Sequence, residues 1–192
     1  MSEWSKERAW KARVRQKRTE GSNPSSSEFF MEYLAFQLAR NGIGLQCFVS
    51  KHFLSKVKLF PCNEEVLPDI NDESFKELAF DFLSYLGGKN VDFSKYINFI
   101  PFERFSDFQK KVYNFLLKNI CFGKFITYGE LAAFLFSKNY CRAIGIVLKI
   151  NPFPVIIPCH RVVPAGFPHN GFGGFNQGIE IKRRLLEIEN IV

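Results

Sequence analysis

Three prolines within seven residues, Pro152, Pro154 and Pro158, limit what the segment "NPFPVIIPCHRVVP" can fold into. Proline fixes its own φ angle, donates no backbone hydrogen bond, and keeps the preceding residue out of the helical region. We therefore predict an irregular, rigid connection in place of a helix or a strand. In such a turn His160 can point its ring at the Cys159 thiol, whereas adjacent residues of a strand face opposite sides.

From these residues alone, Cys159 has three interpretations: a nucleophile, a metal ligand or a buried thiol. A free thiol with a pKa of about 8.5 is mostly protonated at neutral pH, so a nucleophile needs help. Downstream, "GFGGFNQG" is typical of a loop that a substrate can approach closely, and "IEIKRRLLEIE" predicts an amphipathic helix ending in two carboxylates. Thiolate, imidazole and carboxylate are the parts of an activated nucleophile, but a structural cysteine stays open as the alternative.

Composition bounds the class of protein. With 192 residues, of which 46% are hydrophobic, the chain suits one domain or two small ones. The five cysteines are scattered without a CxxC pair, so we expect neither a disulfide framework nor a zinc site. No apolar run reaches the roughly 18 residues of a membrane span, and no secretory signal is recognisable. We expect a soluble protein without a membrane partner, cytoplasmic and nucleoid-associated in a prokaryote or nuclear in a eukaryote.

The chain divides into three parts. Residues 1–30 read as a basic flexible tail or linker, for which we prefer a non-native leader over a contact with nucleic acid. Residues 31–100 are predicted to form an N-terminal α/β domain, and residues 101–192 a mostly helical C-terminal domain. The net charge of +7 suggests an anionic partner, although basic proteins often bind nothing acidic.

The N-terminal part has the pattern of a small sheet with a helix. "MEYLAFQLA", "IGLQCFVS" and "SKVKLF" predict three short strands. "ESFKELAFDFLSYL" predicts a helix that starts at Asp72 or Ser74 and ends at Gly87-Gly88. The predicted fold class is α+β, a small antiparallel sheet with a helix followed by a helical domain. Three residues match no common metal site and are expected in core or surface roles: Cys47, His52 and Cys62.

Two capping boxes organise the C-terminal part. "SDFQ" opens a helix through "KKVYNFLLKNI", and "TYGE" opens another at "LAAFLF". After the break "SKNY", "CRAIGIVLKI" predicts a third helix that Asn151-Pro152 ends. The last two helices are a candidate helix-turn-helix, with plain packing of a helical hairpin as the alternative. Arg142 and Gly145 near the start of the second helix suit close approach to a nucleic-acid backbone.

These motifs together resemble the O6-alkylguanine-DNA alkyltransferase family. "NPFPVIIPCHRVVP", preceded by "TYGELA" and "CRAIG", is similar to the Pro-Cys-His-Arg-Val signature that the family carries on a helix-turn-helix domain. The resemblance covers residues 101–190, whereas the N-terminal part is similar only in size and in its expected ribonuclease-H-like architecture. It implies that Cys159 accepts the alkyl group of O6-alkylguanine, or of O4-alkylthymine, from double-stranded DNA. The transfer is expected to be irreversible and to occur once per protein molecule. The resemblance also implies a monomer without a cofactor or a metal.

The resemblance assigns catalytic residues. Cys159 is the expected alkyl acceptor, deprotonated through His160 and a water that Glu189 orients, so that its pKa lies below that of a free thiol. Glu187 is the rival carboxylate. Asn151 is expected to brace the turn that holds Cys159. Tyr128 is expected to donate to guanine N3, and Lys182 to support the charge of the leaving base.

The resemblance also implies contacts to the base and to DNA. The residues expected around the base and its alkyl group are Val162 and Asn176, with Phe175, Pro154 and Leu148. The "CRAIG" helix is expected in the minor groove, where Arg142 fills the gap left by a flipped base. The other expected DNA contacts are Thr127, Tyr128, Cys141, Ala143 and Gly145.

Three features depart from the family pattern. Phe175 stands where a tyrosine is usual, and Ile146 stands where glycine is frequent, adding bulk that we expect to face the core. The loop 164–175 is longer than in many relatives. Three alternatives to the alkyltransferase are a cysteine hydrolase that uses Cys159 and His160, a non-catalytic DNA-damage binder of the same fold, and a zinc or regulatory protein.

Overall fold

The turn Asn41-Gly42 sets the register of an N-terminal sheet in the computed structural model, which describes residues 31–192. The two residues have φ angles of 51° and 78°, the left-handed conformation that a two-residue hairpin requires. The four strands pair antiparallel in the order β3-β2-β1-β4, with bounds β1 (Tyr33–Arg40), β2 (Ile43–Ser50), β3 (Phe53–Pro61) and β4 (Val66–Ile70). The predicted tail at 1–30 lies outside the described residues.

β4 is the strand that the sequence patterns do not predict. Its five residues read "VLPDI", and the proline has no N–H to donate to a neighbouring strand. Such a segment is tolerated at the edge of a sheet, which is where β4 lies. The three strands that the sequence predicts are all present, and the antiparallel sheet of the predicted α+β fold is confirmed.

One helix packs against β1 and β4 of this sheet. Helix α1 (Lys76–Leu86) follows a 3-10 turn whose first backbone N–H groups are capped by Asp72, since its carboxylate accepts from Ser74 N at 3.0 Å. The helix ends where Gly87 leads into Gly88, which has a φ angle of 84°. Both the start and the end of the predicted helix are confirmed.

Four helices follow in the C-terminal part: α2 (Asp107–Asn119), α3 (Tyr128–Leu135), α4 (Cys141–Lys149) and α5 (Ile179–Ile188). Both predicted capping boxes are formed, by Ser106 with Gln109 at α2 and by Thr127 with Glu130 at α3. A single 3-10 turn, Lys138–Tyr140, joins α3 to α4 and produces the predicted helix-turn-helix arrangement.

A two-stranded parallel pair positions the helix-turn-helix beside the proline-rich segment. β5 (Ile126–Thr127) immediately precedes α3, and β6 (Val162–Val163) immediately follows the Cys-His-Arg turn. Because Ile126 pairs with Val162, the first turn of α3 is held next to that turn. Two hydrogen-bonded residues on each side therefore fix where the two motifs meet.

Residues 31–192 form one compact unit, and the boundary expected after residue 100 stays a prediction. Within this part of the chain, no helix has both the length and the apolar character needed to cross a membrane.

The capping box at α2 leads to a stability prediction. Ser106→Ala should lower the free energy of unfolding by about 1 kcal/mol, because the N–H of Gln109 loses its side-chain acceptor. Ser137→Ala is the matched control, since Ser137 is also an exposed N-cap residue but makes no capping hydrogen bond from its side chain. Urea unfolding of both variants measures the difference, and an equal loss would contradict the role of the cap.

Candidate active site

The proline-rich segment forms a tight, buried turn that ends in a 3-10 turn, Cys159–Arg161. Val155 within it has a φ angle of 74° and is almost fully buried. A left-handed conformation costs a β-branched residue on the order of 1–3 kcal/mol, so the surrounding contacts must hold it. One of them is the hydrogen bond from Ile157 N to Phe153 O, at 2.8 Å. The predicted irregular connection is thus confirmed, and its rigidity stays a prediction.

Asn151 ties this turn to the thiol through one side chain. Its Nδ2 donates to Ile157 O and to Cys159 Sγ, both at 3.0 Å, and its Oδ1 accepts from Phe153 N at 3.0 Å. A single planar amide therefore sets the distance between the start of the turn and the sulfur atom.

Burial dominates the electrostatics of Cys159. The side chain is 5% exposed, and burial raises the pKa of its thiol, while the hydrogen bond from Asn151 and the positive charge of Lys182 act in the opposite direction. This result differs from the lowered pKa expected from the sequence. The resting thiol is neutral, so a nucleophilic thiolate forms only when a neighbouring group takes the proton.

His160, the next residue along the chain, is fully buried. Its Nε2 lies 2.8 Å from Glu189 Oε1 and 3.2 Å from the hydroxyl of Tyr85. Burial lowers the pKa of the imidazole, and Glu189 opposes that shift. Nδ1 has no hydrogen-bond partner among the described residues. Glu189 therefore contacts the imidazole directly.

Glu189 is held in turn by Arg161. The guanidinium donates from Nε to Oε2 at 2.8 Å and from Nη2 to Oε1 at 2.9 Å, and its Nη1 donates to Ile120 O at 2.7 Å. Burial would raise the pKa of the Glu189 carboxyl, but His160 and Arg161 lower it to about 2. The carboxylate is thus ionised and paired at neutral pH. The rival carboxylate, Glu187, is exposed and lies 3.7 Å from Arg183.

Sequence reasoning missed two members of this cluster, Arg161 and Tyr85. Arg161 lies inside the quoted "PCHRVVP" motif, and a buried carboxylate requires a cationic partner, so this pair could have been inferred. Tyr85 lies on α1, and no local pattern connects it with residues 75 and 104 positions away.

Lys182 and Tyr128 lie together on the other side of the nucleophile. Lys182 Nζ donates to Val162 O at 2.7 Å and is 5.8 Å from the centre of the Tyr128 ring. Burial lowers the pKa of Lys182 to about 8, while burial and the proximity of Cys159 raise the pKa of Tyr128. The Val162 carbonyl, expected to accept from the base, already accepts from Lys182.

A cavity of about 610 Å³ opens over the thiol. It brings together residues from α3, α4, the turn and the glycine-rich loop, namely Tyr128, Cys141, Arg142, Gly145, Leu148, Lys149, Cys159, Gly174, Phe175 and Asn176. Lys149 and Gly174 were not predicted, although Lys149 lies two helical turns after Arg142 on the same face. Of the residues predicted to contact the base or DNA, four do not line the cavity: Thr127, Ala143, Pro154 and Val162.

The outer face of α4 is exposed. Arg142 is exposed, and an added Cβ on Gly145 would meet nothing within 4 Å. Ile146 is 57% exposed, so the expectation that it faces the core is wrong. It follows Arg142 by one helical turn and therefore lies on the same outer face.

The glycine-rich loop is fixed at both sides of the cavity. Gly173 has a φ angle of 74°, and a Cβ there would lie 3.3 Å from the Tyr128 ring, so the backbone needs glycine to pass so close. At the end of the loop, Gln177 accepts from Leu59 N and donates to Val57 O at 3.2 Å, which ties the loop to β3.

The ionised Glu189 carboxylate leads to a prediction about acid stability. Its pKa is about 2 in the folded chain against an ordinary 4.5, so its stabilisation is complete above pH 4.5 and is lost as the pH falls toward 2. Glu189→Gln should lower the free energy of unfolding at pH 7 by about 3 kcal/mol, because Arg161 stays buried without a counter-charge. At pH 3 the difference from the wild type should be smaller.

Urea unfolding at the two pH values measures both changes. Glu187→Gln, at an exposed ion pair, is the control and should change stability little. A loss for Glu189→Gln that is equal at pH 7 and pH 3 would contradict the assigned ionisation.

Comparisons with known proteins agree with this geometry. The family model for the 6-O-methylguanine DNA methyltransferase DNA-binding domain matches residues 107–191. A methylated-DNA--protein-cysteine methyltransferase of Thermococcus kodakarensis is 40% identical over 123 residues, covering 64% of this chain and 65% of the relative, just under two thirds of its length. The corresponding protein of Methanocaldococcus jannaschii is 34% identical over 167 residues, covering 85% of this chain and 90% of the relative.

Solved structures extend the likeness to the whole fold. The O6-methylguanine-DNA methyltransferase of Pyrococcus kodakaraensis superposes with a TM-score of 0.65 at 29% identity, over 82% of this chain and 99% of that one. The Mycobacterium tuberculosis OGT protein in complex with DNA has a TM-score of 0.61 at 27% identity, over 81% of this chain and 92% of that one. By the extent of these matches and by its Cys159–His160–Glu189 site, the chain belongs to the methylated-DNA--protein-cysteine methyltransferase family.

Proposed function

We propose that this protein repairs DNA by moving the alkyl group of O6-alkylguanine to Cys159. The observation that carries the proposal is that one cavity contains both the Cys159 thiol and the exposed cation Arg142 of α4. A nucleophile and a DNA-facing helix in the same cavity suit a substrate that is one base of a DNA duplex. The names of the relatives and the DNA complex of the Mycobacterium tuberculosis protein support the same substrate class.

The chemical step starts with proton removal. The proton of the Cys159 thiol passes through a water to Nδ1 of His160, the nitrogen without a protein partner, and Glu189 stabilises the imidazolium that forms. The sulfur then attacks the alkyl carbon, the bond from that carbon to O6 breaks, and its electrons stay on guanine. Tyr128 donates a proton to N3, so the departing base leaves neutral. The proton held by His160 then passes through water to the Tyr128 oxygen, which restores both side chains.

Access to the base requires extrusion from the duplex, because its O6 atom is not reachable for in-line attack within the stack. The exposed face of α4 enters the minor groove, where Gly145 and the partly exposed Ala143 permit close contact with the backbone. Arg142 occupies the place of the extruded base. Affinity comes mostly from phosphates and decreases as salt increases.

The same cavity accepts O4-alkylthymine, because the ring is smaller and presents its alkyl oxygen at a similar position. The protein acts as a monomer, since the nucleophile, the proton acceptor and α4 all belong to one chain. A cysteine hydrolase would leave α4 and Arg142 without a role, and a binder without catalysis would not need Cys159.

Stoichiometry tests the proposal most directly. A thioether does not regenerate the thiolate, so product from an O6-methylguanine duplex should stop at one methyl group per protein, and intact mass should rise by one methyl group. Cys159→Ser should transfer nothing yet still bind DNA, since a serine hydroxyl is a much weaker nucleophile at neutral pH. Cys121→Ser, at an exposed cysteine, should transfer normally. Continued turnover would favour the hydrolase.

Arg142 separates base extrusion from chemistry. Arg142→Ala should slow transfer from duplex DNA at least about tenfold, because unstacking and unpairing cost a few kcal/mol that the arginine offsets. Transfer from free O6-benzylguanine needs no extrusion and should be nearly unchanged. Arg183→Ala removes the same charge from the exposed surface of α5 and is the control. Equal losses of Arg142→Ala on both substrates would contradict the placement of α4 in the groove.

A further inference from the structure

The described N-terminal residues contribute one side chain directly to the buried cluster at the active site. Tyr85 lies on α1, is fully buried, and donates from its hydroxyl to Glu189 Oε1 at 2.6 Å. Its ring packs edge-on against Phe93, Phe122 and His160. A buried hydroxyl aimed at a carboxylate that already contacts Arg161 and His160 calls for an explanation beyond filling the core.

Arg161 on one side and Tyr85 with His160 on the other compete for the carboxylate of Glu189. Arg161 makes hydrogen bonds to both of its oxygens, the bidentate geometry that arginine prefers, and Gly123 N donates to Oε2 at 3.3 Å. These contacts draw the carboxylate toward the guanidinium. The Tyr85 hydroxyl contacts Oε1, the same oxygen that His160 contacts, and opposes rotation of the carboxylate away from the imidazole.

The orientation of Glu189 decides which nitrogen of His160 carries the proton. An Nε2–H that donates to Oε1 leaves Nδ1 with a free lone pair. Within residues 31–192 Nδ1 has no protein partner, and in the proposed reaction it takes the proton of Cys159. If the carboxylate rotated, the imidazole could exchange its proton between the two nitrogens and would lose the unprotonated Nδ1 for part of the time.

We propose that Tyr85 is a positioning residue: its hydroxyl holds Glu189 against Nε2 of His160 and so keeps Nδ1 available as the proton acceptor. The proposal rests on the proton path given under the proposed function. It makes α1 a part of the active site, although α1 contributes nothing to the cavity over the thiol. Damage to the hydroxyl should therefore change the chemistry of Cys159 without changing the binding of DNA.

Several groups influence the pH dependence of this reaction. The titratable and charged side chains that act on Cys159 and His160 come from four helices and the turn: Tyr85, Tyr113, Tyr128, Arg161, Lys182 and Glu189. Replacing Tyr85 by phenylalanine removes one oxygen and keeps the ring contacts, so the other groups stay in place.

The test uses the full chain and two readouts that a purely structural role would not move. The first is the nitrogen-15 spectrum of the three histidines at pH 7, in which His160 of the wild type should show the Nε2–H tautomer. In Tyr85→Phe its two nitrogen shifts should move toward each other. The second is the rate of Cys159 modification by iodoacetamide as a function of pH. In Tyr85→Phe this rate should fall about tenfold at neutral pH, because the proton acceptor His160 is misplaced.

Tyr96→Phe is the matched control. Tyr96 is also a buried tyrosine of the N-terminal part, and its hydroxyl donates to Asp81 at 2.7 Å, outside the cluster. This variant should leave both readouts unchanged. The affinity of Tyr85→Phe for unmodified duplex DNA should equal that of the wild type.

The proposal is overturned by any of three results. One is an Nδ1–H tautomer in the wild type, which needs no variant and holds even if Tyr85→Phe does not fold. Another is a Tyr85→Phe variant with a lower melting temperature but unchanged spectrum and rate profile. The third is an equal effect of Tyr96→Phe. Neither readout uses DNA or an alkylated base, so absence of alkyl transfer in the wild type would reject the proposed function and leave the positioning role standing.

Discussion

A buried carboxylate is the constraint on which the rest of this structure depends. Glu189 is 1% exposed at the end of α5, and an ion in that position costs several kcal/mol unless a charged partner and hydrogen-bond donors meet it. The partners are Arg161 and His160 from the turn and Tyr85 from α1. Three distant parts of the chain must come together to satisfy one charge. The same assembly that stabilises the fold therefore also fixes the imidazole of His160, the residue that follows Cys159.

In the resting site, burial keeps both the Cys159 thiol and the His160 imidazole neutral. Burial also lowers the pKa of Lys182 to about 8. A neutral thiol reacts slowly with oxidants and with small electrophiles, because the thiolate is the reactive form. Under the proposed function, this low reactivity protects a thiol that can be alkylated only once.

Local sequence patterns were sufficient to predict those parts of the structure that depend on residues a few positions apart. The capping boxes gave the starts of α2 and α3, and the prolines gave the irregular turn, because each depends on residues a few positions apart. The contact of Tyr85 with Glu189 spans 104 positions, and no periodicity encodes it. The outward direction of Ile146 and the hydrogen bond from Lys182 to the Val162 carbonyl were likewise not predicted, since both depend on packing between elements.

The hydrogen bonds between the glycine-rich loop and β3 affect how the sheet can pair with other molecules. β3 is an edge strand, and its outer backbone groups bond to Pro152 and to Gln177. The opposite edge is β4, five residues long and interrupted by Pro68. Neither edge offers a long row of free backbone groups to a strand of another molecule, which is the usual start of sheet aggregation. The loop that borders the cavity therefore also protects one edge of the described sheet from pairing with a strand of another molecule.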